Sequence, residues 1–177
     1  MKNIMKRISS LVLAVFILTA IAPTPLQVVW AASGDANAIV SVASGEANGT
    51  SGTKYRKWFY GYDNTNAWCA IFVSWCANQA GVPNNIIPRA ALVGSMRTSV
   101  LNNGGSVVTT PQAGDLVFYK DNRDGRWCHV GLMTGPQSSV QGNIGNKVSY
   151  VPKPQYYVLD KAGSKEYTIQ FIRPNYG

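Results

Sequence analysis

Trp68-Cys69-Ala70-Ile71-Phe72-Val73-Ser74-Trp75-Cys76-Ala77-Asn78-Gln79-Ala80 is the stretch on which the reading of this chain turns. Phe72, Val73, Cys76, Ala77 and Ala80 recur at three- and four-residue steps, the period of a helix with a buried face. Thr65 or Asn66 is placed to cap its start, and Gly81 followed by Pro83 stops it. The spacing predicts a helix over residues 69–80 with Cys69 in its first turn. A thiol at a helix N-terminus faces unpaired N–H groups and the positive end of the macrodipole, which favour the thiolate. Cys76 lies inside the same helix and suits a structural, buried cysteine.

Downstream, a second helix is expected over residues 89–101, led in by Pro88 and ended by Asn102-Asn103-Gly104-Gly105. The pattern then changes. Residues 106–110, 115–119, 127–134, 140–143, 147–151 and 168–173 are short runs rich in β-branched and aromatic residues, punctuated by Gly, Pro, Asn and Asp. Helices first and strands afterwards indicate an α+β domain with an antiparallel sheet.

Upstream, residues 36–43 form a short helix capped by Ser33 or Asp35 and ended near Gly45, the rest of 33–53 being loop. Tyr55, Trp58, Phe59, Tyr60, Tyr62 and Trp68 crowd together just before Cys69. Packing of loops onto the core accounts for about half of such a cluster, and a groove wall that stacks on sugar or peptide accounts for the others. Tyr60, Tyr62, Asn66 and Trp68 are the candidates to touch substrate.

At the N-terminus, Lys2, Lys6 and Arg7 precede an apolar run over residues 11–22, and Val29-Trp30-Ala31 gives a small-residue cleavage pattern. This is the form of a secretory signal peptide, residues 1–31; the apolar run is short of the ~20 residues that span a bilayer. The formal net charge of the whole chain is +8, and it stays positive once those three cations are removed. A basic exported protein suits an anionic wall polymer, with plain solubility as the alternative. No Lys/Arg run or nucleic-acid motif is present, so nucleic acid is not expected as a partner. The chain has three cysteines, an odd number that leaves at least one thiol free in an exported protein. Cys69 and Cys76 are about 10 Å apart along their helix, too far for a disulfide. A bond between Cys76 and Cys128 remains open.

His129 is the only histidine, and therefore the only imidazole available as a base to Cys69. Strand alternation puts His129, Gly131 and Met133 on one face, with Gly131 leaving open space beside the ring, and Cys128, Val130 and Leu132 on the other. A base needs an orienting partner. The carboxylates downstream are Asp160 and Glu166, and the nearer polar candidates are Gln141 and Asn143, two apart on one strand face.

With these residues in hand, the segment 68–77 resembles the nucleophile helix of the CHAP family, the cysteine- and histidine-dependent amidohydrolases/peptidases. Gly114-Asp115-Leu116-Val117-Phe118-Tyr119 resembles that family's strand ahead of the histidine, His129-Val130-Gly131 its histidine strand, and Gln141-Gly142-Asn143 its third-member segment. The resemblance implies a papain-like α+β fold, with N-terminal helices packed on a small antiparallel sheet. It divides the chain into a flexible segment with a short helix over 32–53 and a CHAP-like catalytic domain over 54–177. It implies cleavage of peptidoglycan amide bonds in the cell wall by a secreted monomer, either as N-acetylmuramoyl-L-alanine amidase or as stem-peptide or cross-bridge endopeptidase. Cys69 is then nucleophile and His129 base and acid. The family has a glutamate where this chain has Gln141; either Gln141 or Asn143 orients the ring, as an asparagine does in papain-like proteases. A weakly active or inactive wall-binding module is the alternative, as is an exported antibacterial toxin with the same chemistry. No cofactor is expected. The loop 61–66 has one carboxylate, Asp63, too few for calcium, and no Cys/His spacing suits zinc.

Overall fold

A computed structural model describes residues 35–154 and 167–177. The signal sequence, the Ser33 cap, Asp160 and Glu166 lie outside the described residues. Four helices, α1 (Ala36–Gly45), α2 (Thr53–Tyr60), α3 (Cys69–Gln79) and α4 (Val93–Asn102), pack with seven strands. The strands are β1 (Asn48–Ser51), β2 (Ser106–Val108), β3 (Leu116–Asp121), β4 (Trp127–Gly135), β5 (Ser138–Ile144), β6 (Lys147–Pro152) and β7 (Tyr167–Arg173). They form one sheet in the order β1-β6-β5-β4-β3-β7-β2, with every described pairing antiparallel. The fold is α+β.

Helix α3 is the axis of the core. Every residue from Cys69 to Ala77 is buried, because the helix meets α1, α2 and α4 as well as β4 and β5. A helix apolar all round suits a position enclosed on all sides. Against it the sheet presents Leu116, Phe118, Val130, Leu132 and Val140. Val117, Tyr119 and Met133 form a separate cluster, as period-two alternation requires of the opposite sheet face.

The expected elements depart from the observed ones in four places. Residues 48–51, expected as loop, pair with β6. The aromatic stretch expected to pack as loop is largely helix α2, ended by Gly61 at φ 83°. Residues 89–92, expected as helical, lie outside α4, because the Ser74 hydroxyl on α3 holds their approach. Its single hydrogen is shared between the carbonyls of Pro88 and Ala90 (2.9 and 3.2 Å), and its oxygen accepts from the Ala90 N–H (2.9 Å). Neither Thr65 nor Asn66 caps α3. Its cap position is Trp68, without a side-chain cap, and the N–H groups of Cys69 and Ala70 face the Cys69 sulfur instead.

Trp68 is fully buried. Its ring stacks on Tyr55 with centroids 5.2 Å apart, and its indole N–H donates to Asn146 Oδ1 (3.1 Å). Two glycines make room for it. A Cβ on Gly52 would collide with the indole and with Arg56, and one on Gly142 would lie 2.6 Å from Phe72 Cβ and 2.8 Å from Trp68 Cζ3. Gly142→Ala is expected to destabilise the fold by ~1–3 kcal/mol, since neither neighbour has space to retreat. Gly45→Ala, where an added Cβ meets nothing within 4 Å, leaves stability unchanged or slightly raised. Urea unfolding of the two variants checks the contrast.

Candidate active site

Strand pairing sets the site. The ladder between β4 and β5 passes through Met133–Ser139 and Leu132–Val140 and goes no further towards His129. Beyond that point β5 continues through Gln141 and Gly142 while β4 continues back to Trp127, so the strands part. The N-terminus of α3 lies against this stretch, with Cys69 at Val130 and Phe72 and Trp68 at Gly142. There the Cys69 thiol is faced by the backbone N–H of Val130 as well as by those of Cys69 and Ala70. Gly142, on the helix side of the opening, is what lets Phe72 and Trp68 approach so closely.

His129 is buried, 6% exposed. Its Nε2 lies 2.9 Å from Gln141 Oε1. Gln141 is fully buried and its amide nitrogen donates to the Tyr119 hydroxyl and to Ser139 Oγ, both at 2.8 Å. Of the two candidates to orient the imidazole, Gln141 makes the contact. Asn143 lies at the surface of the site with φ 67° and lines a neighbouring cleft. The space beside His129 is not open as the sequence suggests. An added Cβ on Gly131 would sit 2.5 Å from Gln141 Cγ. The glycine is the seat across which the Gln141 side chain reaches the imidazole.

Electrostatics also depart from expectation. Burial pushes the Cys69 thiol up to about 11, outweighing the N–H groups of Val130, Ala70 and Cys69. Burial likewise lowers His129 to about 4, and the Gln141 contact offsets only part of that. Near neutrality the pair is thiol and neutral imidazole. The expected thiolate fails because desolvation of an enclosed sulfur exceeds what a few backbone dipoles return. The arrangement can still do nucleophilic chemistry, because a neutral imidazole is competent to take the thiol proton as attack occurs.

All three cysteines are free. Cys76 is buried, with burial and Glu46 holding its thiol well above the usual range. Cys128 is exposed, its thiol 3.5 Å from the Tyr119 carbonyl. The open Cys76–Cys128 pairing is therefore not made.

Beside the opening lies a cleft of about 390 Å³ lined by Arg56, Asn64, Thr65, Asn66, Ala67, Asn143 and Asn146. Of the four residues expected to touch substrate, Asn66 is in it. Trp68 offers no face to a ligand, being fully buried core. Tyr60 and Tyr62 pair with each other, centroids 6.0 Å apart, with Tyr62 well exposed, and are not among the cleft's lining residues. Arg56, Asn64 and Asn146 were not singled out from sequence; Asn146 sits at φ 63° in the β5–β6 turn after Gly145 at φ 56°, an Asn/Gly turn signal in hindsight. The Arg56 charge is met by Asp63, whose oxygens accept from Arg56 Nε (2.8 Å), Thr53 Oγ1 (2.8 Å) and the Asn64 N–H (2.9 Å). Arg56 first and Thr53 next hold the Asp63 carboxyl below its usual value. The loop's one carboxylate is thus occupied by an internal cation, and among the described residues no group of three His, Cys, Asp or Glu gathers at metal-binding range.

The CHAP domain family matches residues 61–151, more than half of the chain, and a CHAP domain indicates hydrolysis of the amidase or peptidase kind. No curated protein sequence matches. Among solved structures, the crystal structure of Ly7917 is similar over 80% of this chain and 63% of that one, with 15% identity and a TM-score of 0.48. The chain thus spans less than two thirds of that protein.

The raised thiol gives a signed expectation for alkylation. At pH 7.5 iodoacetamide should modify Cys128 first and Cys69 slowly. Cys69 labelling should then climb as pH rises towards 11, as the reactive thiolate forms. Peptide mapping by mass spectrometry reads both sites in one sample. Full labelling of Cys69 below pH 8 would show a preformed thiolate.

Proposed function

Because the chain belongs to the CHAP domain family, we propose that it is an exported peptidoglycan hydrolase that cleaves an amide bond through a Cys69 acyl-enzyme. The observation that carries the reading is a helix-terminal thiol held at the Val130 N–H, the residue next in the chain to an imidazole that Gln141 orients. The export segment rests on Lys2, Lys6, Arg7 and the apolar run that follows.

In this mechanism the amide carbonyl of a muramyl peptide enters at the opening. Cys69 Sγ attacks carbon while its proton passes to His129 Nδ1, the ring nitrogen not engaged by Gln141. Backbone N–H groups at the helix start stabilise the oxyanion. The imidazolium then donates its proton to the departing amine, and the neutral ring activates water to release the acyl group. The imidazolium forms only transiently, so a neutral amide at position 141 stabilises it less than a carboxylate does, by ~1–2 kcal/mol. The expected enzyme is slower than a glutamate-bearing relative but active.

The cleft supports this substrate class. Four asparagines and a threonine line it and the Arg56 charge is already met by Asp63, so a polar, amide-bearing chain is the ligand such a surface suits. Asn66, Asn143 and Asn146 are the proposed contacts. Anionic wall polymers are a second proposed partner, on the chain's formal net charge of +8.

Purified sacculi treated with the wild-type chain should release new amine and carboxyl termini, identified by mass spectrometry. Cys69→Ala should reduce release by at least about 10³-fold. Equal release by both proteins would refute the nucleophile. Binding of sacculi without release by either would favour a wall-binding module.

A further inference from the structure

We infer that Tyr119 and Ser139 are positioning residues that hold the Gln141 carboxamide in one orientation and so fix which nitrogen of His129 is the base. The catalytic consequence rests on the hydrolase reading; the geometry does not.

A carboxamide is nearly symmetric in shape but opposite in chemistry at its two ends, so its direction must be imposed by its neighbours. Here the directions are settled by two hydroxyls. The Tyr119 hydroxyl donates to the Pro154 carbonyl (3.1 Å), and Ser139 Oγ donates to the Val151 carbonyl (3.4 Å). With its single hydrogen so used, each hydroxyl presents lone pairs to Gln141. The Gln141 amide nitrogen supplies its two hydrogens to them, both at 2.8 Å. Oε1 is left facing His129 Nε2 at 2.9 Å. An amide oxygen only accepts, so Nε2 carries the proton and Nδ1 keeps its lone pair.

Reversing the amide reverses the outcome. Its NH₂ group would face Nε2 and demand an acceptor there. The ring proton would then sit on Nδ1, leaving no lone pair for the thiol proton. The same network accounts for glutamine in place of the family's glutamate. A carboxylate has no hydrogens to give Tyr119 and Ser139; both hydroxyls would have to turn towards it and abandon the Pro154 and Val151 carbonyls. All the residues concerned lie on one sheet face: Tyr119 pairs with His129 across β3–β4, and Ser139 is two residues from Gln141 on β5.

The test uses the chain's single histidine, which gives one pair of imidazole nitrogen signals in a ¹⁵N-histidine-labelled sample. Two-bond ¹⁵N–¹H correlation at neutral pH should find the wild-type proton on Nε2. In Tyr119→Phe/Ser139→Ala the amide hydrogens lose both acceptors, the amide turns, and the population should move towards the Nδ1–H form. On sacculi, kcat should fall about 10²-fold with KM unchanged. If the double variant does not fold, Tyr119→Phe alone, which conserves core volume, should move the population part of the way. A wild type protonated on Nδ1, or a tautomer unmoved by these substitutions, overturns the inference. The nitrogen signals need no substrate. Failure there counts against this inference alone, whereas a wild type with the Nε2–H ring and no hydrolysis counts against the substrate reading.

Discussion

The first turn of α3 packs against the stretch where the β4–β5 ladder ends, and the remaining architecture depends on that contact. A helix this apolar has to be enclosed, and three helices and the sheet enclose it. Enclosure places the Cys69 sulfur among backbone N–H groups and away from water. It also requires glycine wherever a neighbour must come close: Gly52 and Gly142 against Trp68, and Gly131 beneath Gln141. The same burial suppresses the charges of Cys69 and His129, so near neutrality the site rests as thiol and neutral imidazole.

Much of this was legible in the sequence, and the reasons are local. The three- and four-residue spacing marked α3 as a buried helix, though it is buried all round, and the β-branched runs marked the strands of the sheet, though β3 and β4 are buried on both faces. The proposal that Cys69 and His129 act as a pair rests on the helix start and on there being one imidazole. What stayed hidden depends on partners distant in sequence. Strand β1 is polar and short, and only β6 makes it a strand. Residues 89–92 follow helical propensity in isolation, but Ser74 captures their backbone. The sign of the thiol shift was missed because a helix terminus is visible in sequence while the depth at which it is buried is not. Gly131 suggested vacant space, yet a glycine also marks a place that another side chain fills.

Glutamine at position 141 departs from the family pattern without leaving the imidazole unsupported. Its amide hydrogens, which a carboxylate lacks, satisfy the Tyr119 and Ser139 hydroxyls, and its oxygen meets His129. Orientation is retained and charge is given up. That exchange fits a site whose resting state carries no charge on either reacting group. Beside it lies the asparagine-lined cleft, in which the one charged side chain, Arg56, is met by Asp63.

The covalent intermediate is where the account is most exposed. Wild-type protein mixed with a soluble muropeptide and quenched in acid within the first turnovers should gain the mass of the acyl portion of that substrate. Fragmentation should place the added mass on Cys69. Product formation with no adduct at any time point, or an adduct on the exposed Cys128 instead, would contradict a mechanism in which the buried thiol at the head of α3 is the nucleophile.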